Sequence, residues 1–267
     1  MPESNTEVLI PTSAAQAIEA FGDGRGVTVF GGGTILMPTI AYGRYPRGTR
    51  TLMLQRAGLD DVSGDGTITV GAMTRLSRIA ASGLEPLAAA AADVADEEIR
   101  AQATLGGNLC APPGRESPRG DLQAALLALA ARVRSTGEGG ERTETIDEFL
   151  ARADSEPRLV LAVVVERPRG AAYISQRRAH AHSYAVMTVA CAETRDGVRV
   201  AAGGVAPRAV RLTAVERAVA DGAGPVQAAA GALDGVQPQD DALASAWYRR
   251  EVLPTLVRRA LEQLQGG

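Results

Sequence analysis

Short apolar runs alternate with amphipathic stretches over the first fifty or so residues, which is the pattern of a small α/β unit. Residues 8–10 form an apolar run that predicts a strand, and Thr12 or Ser13 can cap the helix that follows. A second apolar run at residues 27–30 ends directly at a glycine cluster, which predicts a strand and then a tight loop. We therefore predict a first subdomain over about residues 1–56.

The middle of the chain has a different pattern, with more extended apolar segments. Alternation at residues 67–70, helical spacing of leucines within 121–131 and a nearly unbroken apolar run at 159–165 predict strand, helix and buried strand. The turn at residues 168–170, Pro-Arg-Gly, is the best boundary after them. We therefore predict a second subdomain over residues 57–167.

The remaining residues, 168–267, begin with strand-like segments and end with helical ones. The predicted strands lie at residues 171–178 and 198–202, and the predicted helices at 213–220, 225–233 and 245–265.

Composition and charge limit the kinds of partner. Aromatic residues make up only 3% of the chain and the net charge is −3 with both signs interspersed, so neither stacking platforms nor a basic surface favours nucleic acid. The N-terminus lacks a basic segment followed by an apolar one, and no apolar run is long enough for a membrane span. We expect a cytoplasmic protein that binds small molecules or proteins.

Several enzyme classes are excluded or disfavoured by missing residues. The chain contains no lysine, which excludes Schiff-base chemistry, pyridoxal phosphate enzymes and P-loops. Cys110 and Cys191 are too far apart for a local metal motif, and His180 and His182 have no neighbouring cysteine or carboxylate cluster, so we expect no metal site. Neither a Ser-His-Asp spacing nor paired carboxylates indicate hydrolysis, and we predict no catalytic side chain.

The first glycine cluster directly follows a predicted strand. Gly31, Gly32 and Gly33 allow the backbone to approach an anion closely and to turn its N–H groups inward, and Thr34 adds a hydroxyl donor. This suits a pyrophosphate. The cluster is not a Rossmann fingerprint, because the third glycine of that motif would fall on Leu36. A tight structural turn would explain the same residues.

The second glycine cluster combines a hydroxyl, two glycines and a side-chain amide, in Thr104, Leu105, Gly106, Gly107 and Asn108. Alone it fits a turn as well as a ligand loop. Two such clusters in one chain fit a bulky diphosphate ligand that is held from two sides.

These clusters and several further motifs resemble the FAD-binding medium subunits of molybdenum hydroxylases, the family of xanthine dehydrogenase and carbon monoxide dehydrogenase flavoproteins. Members of that family have loops similar to Ala-Gly-Gly-Thr-Asp-Leu and Thr-Ile-Gly-Gly-Asn-Leu where this chain has residues 31–36 and 104–109. The likeness continues, in the same order, at residues 99–103, 118–129, 145–150, 176–178, 203–211 and 248–261.

The resemblance implies an α+β protein with a PCMH-type FAD-binding fold. Two α/β subdomains would form the FAD-binding domain, residues 1–167, followed by a smaller C-terminal α+β flavoprotein domain, residues 168–267. It also implies that bound FAD relays electrons from partner subunits to an acceptor. Those partners would be a molybdopterin-binding large subunit and an iron–sulfur small subunit, since the chain lacks the cysteines for clusters. A free-standing FAD oxidase or dehydrogenase, or a structural subunit that has lost FAD, are the alternatives.

The resemblance also implies a set of cofactor-binding residues. They are Val29, Phe30, Gly31, Gly32, Gly33, Thr34, Ile35, Thr104, Leu105, Gly106, Gly107, Asn108, Asp121, Val160, Tyr173 and Tyr184. The loops would hold the diphosphate and ribityl chain, and Asp121 would accept from a ribityl hydroxyl, unless it caps the helix before Leu122. Val160 and Tyr184 would lie near the isoalloxazine, although a valine in an apolar strand is also an ordinary core residue.

Three positions depart from the family pattern. Relatives commonly have Asp or Ser at the position of Ile35, Asn at Ala101 and Lys at Tyr173. Loss of a lysine near the flavin would bear on the redox potential more than on binding.

Overall fold

The described part of the protein contains three β-sheets with helices packed around them. The computed structural model describes residues 7–44, 49–113, 120–178 and 184–266. His180, His182, Pro118 and Arg119 lie outside these residues, so the expectations for them stay predictions.

The first sheet has three parallel strands. The elements of this region are β1 (Val8–Leu9), α1 (Ala14–Phe21), β2 (Val27–Phe30), α2 (Leu36–Ala41) and β3 (Arg50–Met53). The strand order is β1-β3-β2, which leaves β2 at an edge with the first glycine cluster at its carboxyl end. The Ser13 side chain accepts from the backbone N–H of Gln16 and begins α1, as the sequence predicts.

The second sheet is antiparallel and has five strands in the order β4-β5-β8-β6-β7. Its elements are β4 (Val62–Ser63), β5 (Thr67–Gly71), α3 (Leu76–Ala80), α4 (Leu87–Ala92), α5 (Glu97–Gln102), α6 (Leu105–Leu109), α7 (Gln123–Ala128), β6 (Arg132–Gly137), β7 (Arg142–Thr145), α8 (Ile146–Arg152) and β8 (Arg158–Glu166). The central strand β8 pairs on both sides and is buried over most of its length, which explains its unbroken apolar sequence.

The third sheet is antiparallel, with four strands in the order β12-β11-β10-β9. The elements are β9 (Ala171–Arg177), β10 (Ala185–Thr194), β11 (Gly197–Gly203), β12 (Val210–Arg211), α9 (Thr213–Ala220), α10 (Pro225–Ala229) and α11 (Ala246–Gly266). Strand β10 is absent from the sequence prediction. Seven consecutive residues of β10 are buried, so it lacks the polar alternation that marks a half-exposed strand.

Helix α7 joins the second and third sheets. All six of its residues are buried. The hydrophobic core around it contains residues of the second region together with Ala190, Ala192 and Ala201 from β10 and β11. Small side chains on those strands let the sheet approach the helix closely, so one core extends across the predicted boundary at residues 168–170.

Candidate cofactor site

A cavity of about 680 Å³ lies beside both glycine clusters. Its lining includes the loop after β2, the start of α6, the first residues of β8 and Tyr184, which precedes β10. This volume is within the range of small-molecule and cofactor sites. The cavity therefore brings together residues from all three regions of the chain.

The first glycine loop, residues 31–35, offers unused backbone donors. Within the described part of the chain, the N–H groups of Gly32, Gly33, Thr34 and Ile35 have no protein acceptor, and all four residues line the cavity. Gly33 has a φ of +78°, in the left-handed region that favours glycine. Several free N–H groups in one loop form a concave donor surface that suits an anion.

The two glycine clusters contact each other directly, and glycine is required where they meet. A Cβ atom on Gly32 would lie 1.9 Å from the carbonyl oxygen of Gln102, and one on Gly31 would lie 3.0 Å from Oγ1 of Thr104. No side chain fits at Gly32 without a shift of the backbone. The two glycine clusters are separate in the sequence but form one continuous part of the cavity wall.

The second cluster differs chemically from the first, because its backbone donors are already used. The N–H of Leu105 donates to the Thr74 carbonyl at 2.9 Å, and the N–H of Gly106 donates to the Ala72 carbonyl at 2.8 Å. The N–H of Gly107 donates to Oγ1 of Thr104 at 3.2 Å. The second loop therefore lacks the row of free backbone donors that the first loop offers. The second loop provides close approach and side chains instead.

Asn108, which is buried, and Asp121, which is half-buried, form a polar pair at the cavity. Nδ2 of Asn108 donates to Oδ2 of Asp121 at 3.2 Å, and Oδ1 of Asn108 accepts from the backbone N–H of Leu122 at 2.9 Å. Leu122, not Asp121, is the N-cap residue of α7 and makes no side-chain cap, so the alternative of Asp121 as that cap is wrong. The amide orients a carboxylate, which is an acceptor for hydroxyl groups.

Most residues predicted for the cofactor line the cavity, and three do not: Phe30, Leu105 and Tyr173. Phe30 lies against Gly33, where a Cβ would be 2.7 Å from its ring, and Leu105 is fully buried in the core. The Tyr173 hydroxyl donates to Asp93 at 3.2 Å. Contact of these three residues with a cofactor, like that of the lining residues, stays a prediction.

The sequence interpretation missed two arginines of the lining. Arg158 is almost fully buried, and its guanidinium donates to Ser135 and to the carbonyls of Glu138 and Gly140. The Arg44 guanidinium lies 5.9 Å from the centre of the Tyr42 ring. Because the chain contains no lysine, a side-chain cation in the cavity has to come from arginine or histidine.

Among the described residues there is neither a metal-binding cluster nor a membrane-spanning helix. No group of three or more histidine, cysteine, aspartate or glutamate side chains is placed to hold a metal ion. None of the helices there combines the length and the apolar character that a membrane crossing needs.

Comparison with known proteins gives the family. Residues 4–166 match the FAD binding domain in molybdopterin dehydrogenase, and residues 171–264 match the CO dehydrogenase flavoprotein C-terminal domain. The chain is 33% identical to YgfM of Escherichia coli (strain K12) over 211 residues, which cover 77% of this chain and 76% of that protein.

Two longer matches cover nearly the whole chain. The 6-hydroxypseudooxynicotine dehydrogenase complex subunit alpha of Paenarthrobacter nicotinovorans is 28% identical over 286 residues, with 98% of this chain and 95% of that protein covered. A carbon monoxide dehydrogenase structure from Hydrogenophaga pseudoflava superposes with a TM-score of 0.82 at 23% identity, covering 100% of this chain and 99% of that one.

These matches confirm the resemblance drawn from the motifs, the mixed helix-and-sheet fold and FAD as the cofactor. The chain belongs to the family of FAD-binding subunits of molybdopterin dehydrogenases and is an FAD-dependent oxidoreductase subunit.

Proposed function

We propose that this chain relays electrons through FAD from a partner molybdenum and iron–sulfur hydroxylase to an acceptor. The observation that carries the proposal is the row of unused N–H groups at Gly32, Gly33, Thr34 and Ile35 along the cavity. When bound, FAD supplies the capacity to take up and release electrons. The protein supplies binding, orientation and the local charge.

The donor and acceptor chemistry of the cavity fits the parts of FAD. The free N–H groups of residues 32–35 suit the diphosphate, which needs donors. The Asn108 and Asp121 pair suits the ribityl hydroxyls, which can donate to a carboxylate. Val160 and Tyr184 provide the apolar and aromatic surface that a flavin ring requires.

Charge supports an anionic ligand as well. Among the described lining residues the charged side chains are Arg44, Arg158 and Asp121, so the cations outnumber the carboxylates. Arg158 is occupied by protein acceptors. Arg44, which makes no ion pair with a described residue, is the cation available to a diphosphate.

Partner subunits are required for the other redox centres. The chain has two cysteines, of which Cys191 is buried, whereas an iron–sulfur cluster normally takes four thiolate ligands. The relative from Paenarthrobacter nicotinovorans is named as one subunit of a dehydrogenase complex, which supports a similar arrangement here.

Cofactor selectivity tests the binding part of this proposal. The purified chain should bind FAD at least about ten-fold more tightly than FMN, since the diphosphate contacts are worth roughly 1.4 kcal/mol or more. Fluorescence titration of the chain with each flavin measures both dissociation constants. Equal affinities, or no flavin binding after reconstitution, would contradict a diphosphate site.

Metal analysis of the native complex tests the relay. The chain purified with an affinity tag from its own cells should elute with molybdenum and iron in a constant ratio to FAD. A chain that elutes with FAD but without these metals, and reduces its FAD with a small-molecule substrate alone, would instead be a free-standing dehydrogenase or oxidase.

A further inference from the structure

A short segment after α4, residues 93–95, contributes to the cavity wall. Val94 and Ala95 both line the cavity. Ala95 has a φ of +45°, one of two non-glycine residues with positive φ among the described residues. A residue with a side chain seldom adopts this conformation, so the surrounding contacts must hold it there.

Arg100 holds the backbone of the segment from within the same region. Its Nη1 donates to the carbonyl oxygens of Val94 and Ala95, at 2.9 and 3.0 Å. This arginine follows the segment by a few residues in α5, so its contacts are local. They fix the backbone of the wall but do not connect it to any other part of the protein.

Asp93 connects the same segment to the C-terminal part of the chain. Its Oδ1 accepts from Nε and Nη2 of Arg177, at 2.9 and 2.8 Å, and Nη2 also donates to the Asp93 carbonyl. Its Oδ2 accepts from the Tyr173 hydroxyl at 3.2 Å. Both partners lie on β9, and the Asp93 side chain is largely buried. The carboxylate is thus held by donors at both oxygens.

The phenol of Tyr173 keeps its proton at neutral pH and so donates to Asp93. Burial raises its pKa well above the usual value, and the nearby carboxylates of Asp93 and then Asp121 raise it further. Asp93 directly precedes Val94 and Ala95, which line the cavity, so the Asp93 cluster lies beside the cavity. Tyr184, which lies seven residues after Arg177 in the sequence, lines the same cavity.

We propose that Arg177 and Tyr173 are positioning residues, which hold Asp93 and thereby fix the Val94 and Ala95 wall of the FAD cavity against the C-terminal region. This inference rests on the proposed FAD site and adds residues outside the loops that bind the cofactor. The cluster, named here the Asp93 clamp, consists of Asp93, Tyr173 and Arg177. It sets the separation between the wall and the part of the chain that carries Tyr184.

Substitution of either charged residue tests the clamp. Two quantities are measured for each variant, the dissociation constant of FAD and the midpoint potential. Arg177→Gln leaves the Asp93 carboxylate without its guanidinium, whereas Asp93→Asn leaves the guanidinium without its carboxylate. Both changes loosen the wall, so the dissociation constant of FAD should rise at least five-fold in each. Loss of a positive charge disfavours reduction of nearby FAD and loss of a negative charge favours it. The midpoint potential should therefore fall in R177Q and rise in D93N.

Matched variants separate the clamp from a general effect on folding. Tyr173→Phe keeps both charges and removes one hydrogen bond, so it should weaken FAD binding slightly and leave the potential unchanged. Arg195→Gln is the control, because Arg195 pairs with Glu166 at 3.1 Å across the same two regions and neither residue lines the cavity. It should alter neither the affinity nor the potential.

The measurements are flavin titration, spectroelectrochemistry and thermal unfolding without FAD, all on the full chain. A wild type that binds FAD together with R177Q and D93N variants of unchanged affinity, or with potentials that move in the same direction, overturns the clamp alone. A wild type that binds no FAD overturns both the clamp and the proposed function. Affinity that falls in folded variants, with opposite shifts in potential, supports the clamp.

Discussion

At the scale of single residues, Gly107 separates a ligand-binding role of the second cluster from a structural one. A Cβ on Gly107 would meet only Oγ1 of Thr104, at 3.0 Å, whereas one on Gly106 would press against Ala72. Gly107 is exposed at the cavity surface. Gly107→Val should therefore raise the FAD dissociation constant about ten-fold or more, equivalent to roughly 1.4 kcal/mol, by occupying ligand space.

The control for this variant is Gly106→Val, which should destabilise the fold itself. Flavin titration and thermal unfolding in the absence of FAD distinguish the two effects. Wild-type FAD affinity in a folded Gly107→Val protein would mean that this glycine serves only the turn.

Asn108 gives a second prediction at this scale, since its amide supports Asp121. Asn108→Ala removes the donor to Asp121 and the acceptor for the Leu122 N–H, at a cost of about 1–3 kcal/mol for groups left without partners. Asn108→Asp keeps the acceptor but places a second carboxylate beside Asp121. Like charges raise the pKa of one carboxylate of such a pair.

We therefore expect FAD affinity of Asn108→Asp to improve as the pH falls from neutral and the pair takes up a proton. The affinity of Asn108→Ala should not show that recovery. Titrations of both variants between neutral and mildly acidic pH check this difference, and parallel pH profiles would show that Asn108 does not act through Asp121.

At the scale of secondary-structure elements, α8 begins with a reciprocal cap that makes stability depend on pH. Oγ1 of Thr145 accepts from the Glu148 N–H at 3.3 Å, and the Glu148 carboxylate accepts from the Thr145 N–H at 2.9 Å. The Thr145 backbone, and then its hydroxyl, lower the pKa of Glu148 below its usual 4.5. Thr145→Ala should cost about 1 kcal/mol and lower the Tm by roughly 2–4 °C.

The sign of the pH effect follows from the lowered pKa of Glu148. Its charged form stabilises the folded state above the usual pKa of 4.5, and this contribution disappears as the pH falls through the lower folded value. The difference in Tm between wild type and Thr145→Ala should therefore narrow in acid. Calorimetry at neutral pH and near pH 4 measures it, and a constant difference would contradict the role of the charged Glu148.

The elements that could be predicted from the sequence are those with a local signal. Strand β2, the cap at Ser13 and both glycine clusters follow from apolar runs and turn residues next to one another. Strand β10 was missed because burial on both faces removes periodicity. The contact of Gly32 with Gln102 and the bond of Asp93 to Arg177 join positions far apart in the chain, and no local pattern encodes them.

At the scale of the whole molecule, the FAD-binding and C-terminal regions share a hydrophobic core. Ala190, Ala192 and Ala201 pack into the same core as α7, and Gln123 of α7 donates to the Leu109 carbonyl at 2.9 Å while accepting from the Ala209 N–H at 3.3 Å. Gln123 therefore links the C-terminal region to α6, on which the second glycine cluster lies. Removing the C-terminal region would expose α7 and free the end of α6.

A fragment of residues 1–167 tests this dependence directly. Without β10 and β11, the apolar face of α7 meets water, and exposed apolar patches of this kind cause association. We expect the fragment to aggregate or to lose cooperative unfolding, and to bind FAD at least ten-fold more weakly than the full chain. The full chain should unfold in one transition, because a shared core couples the two regions. Size-exclusion chromatography, calorimetry and flavin titration of both proteins provide the comparison. A monomeric fragment that unfolds cooperatively and binds FAD with full affinity would mean that the FAD-binding region is independent, and that the shared core around α7 contributes to neither stability nor the cofactor site.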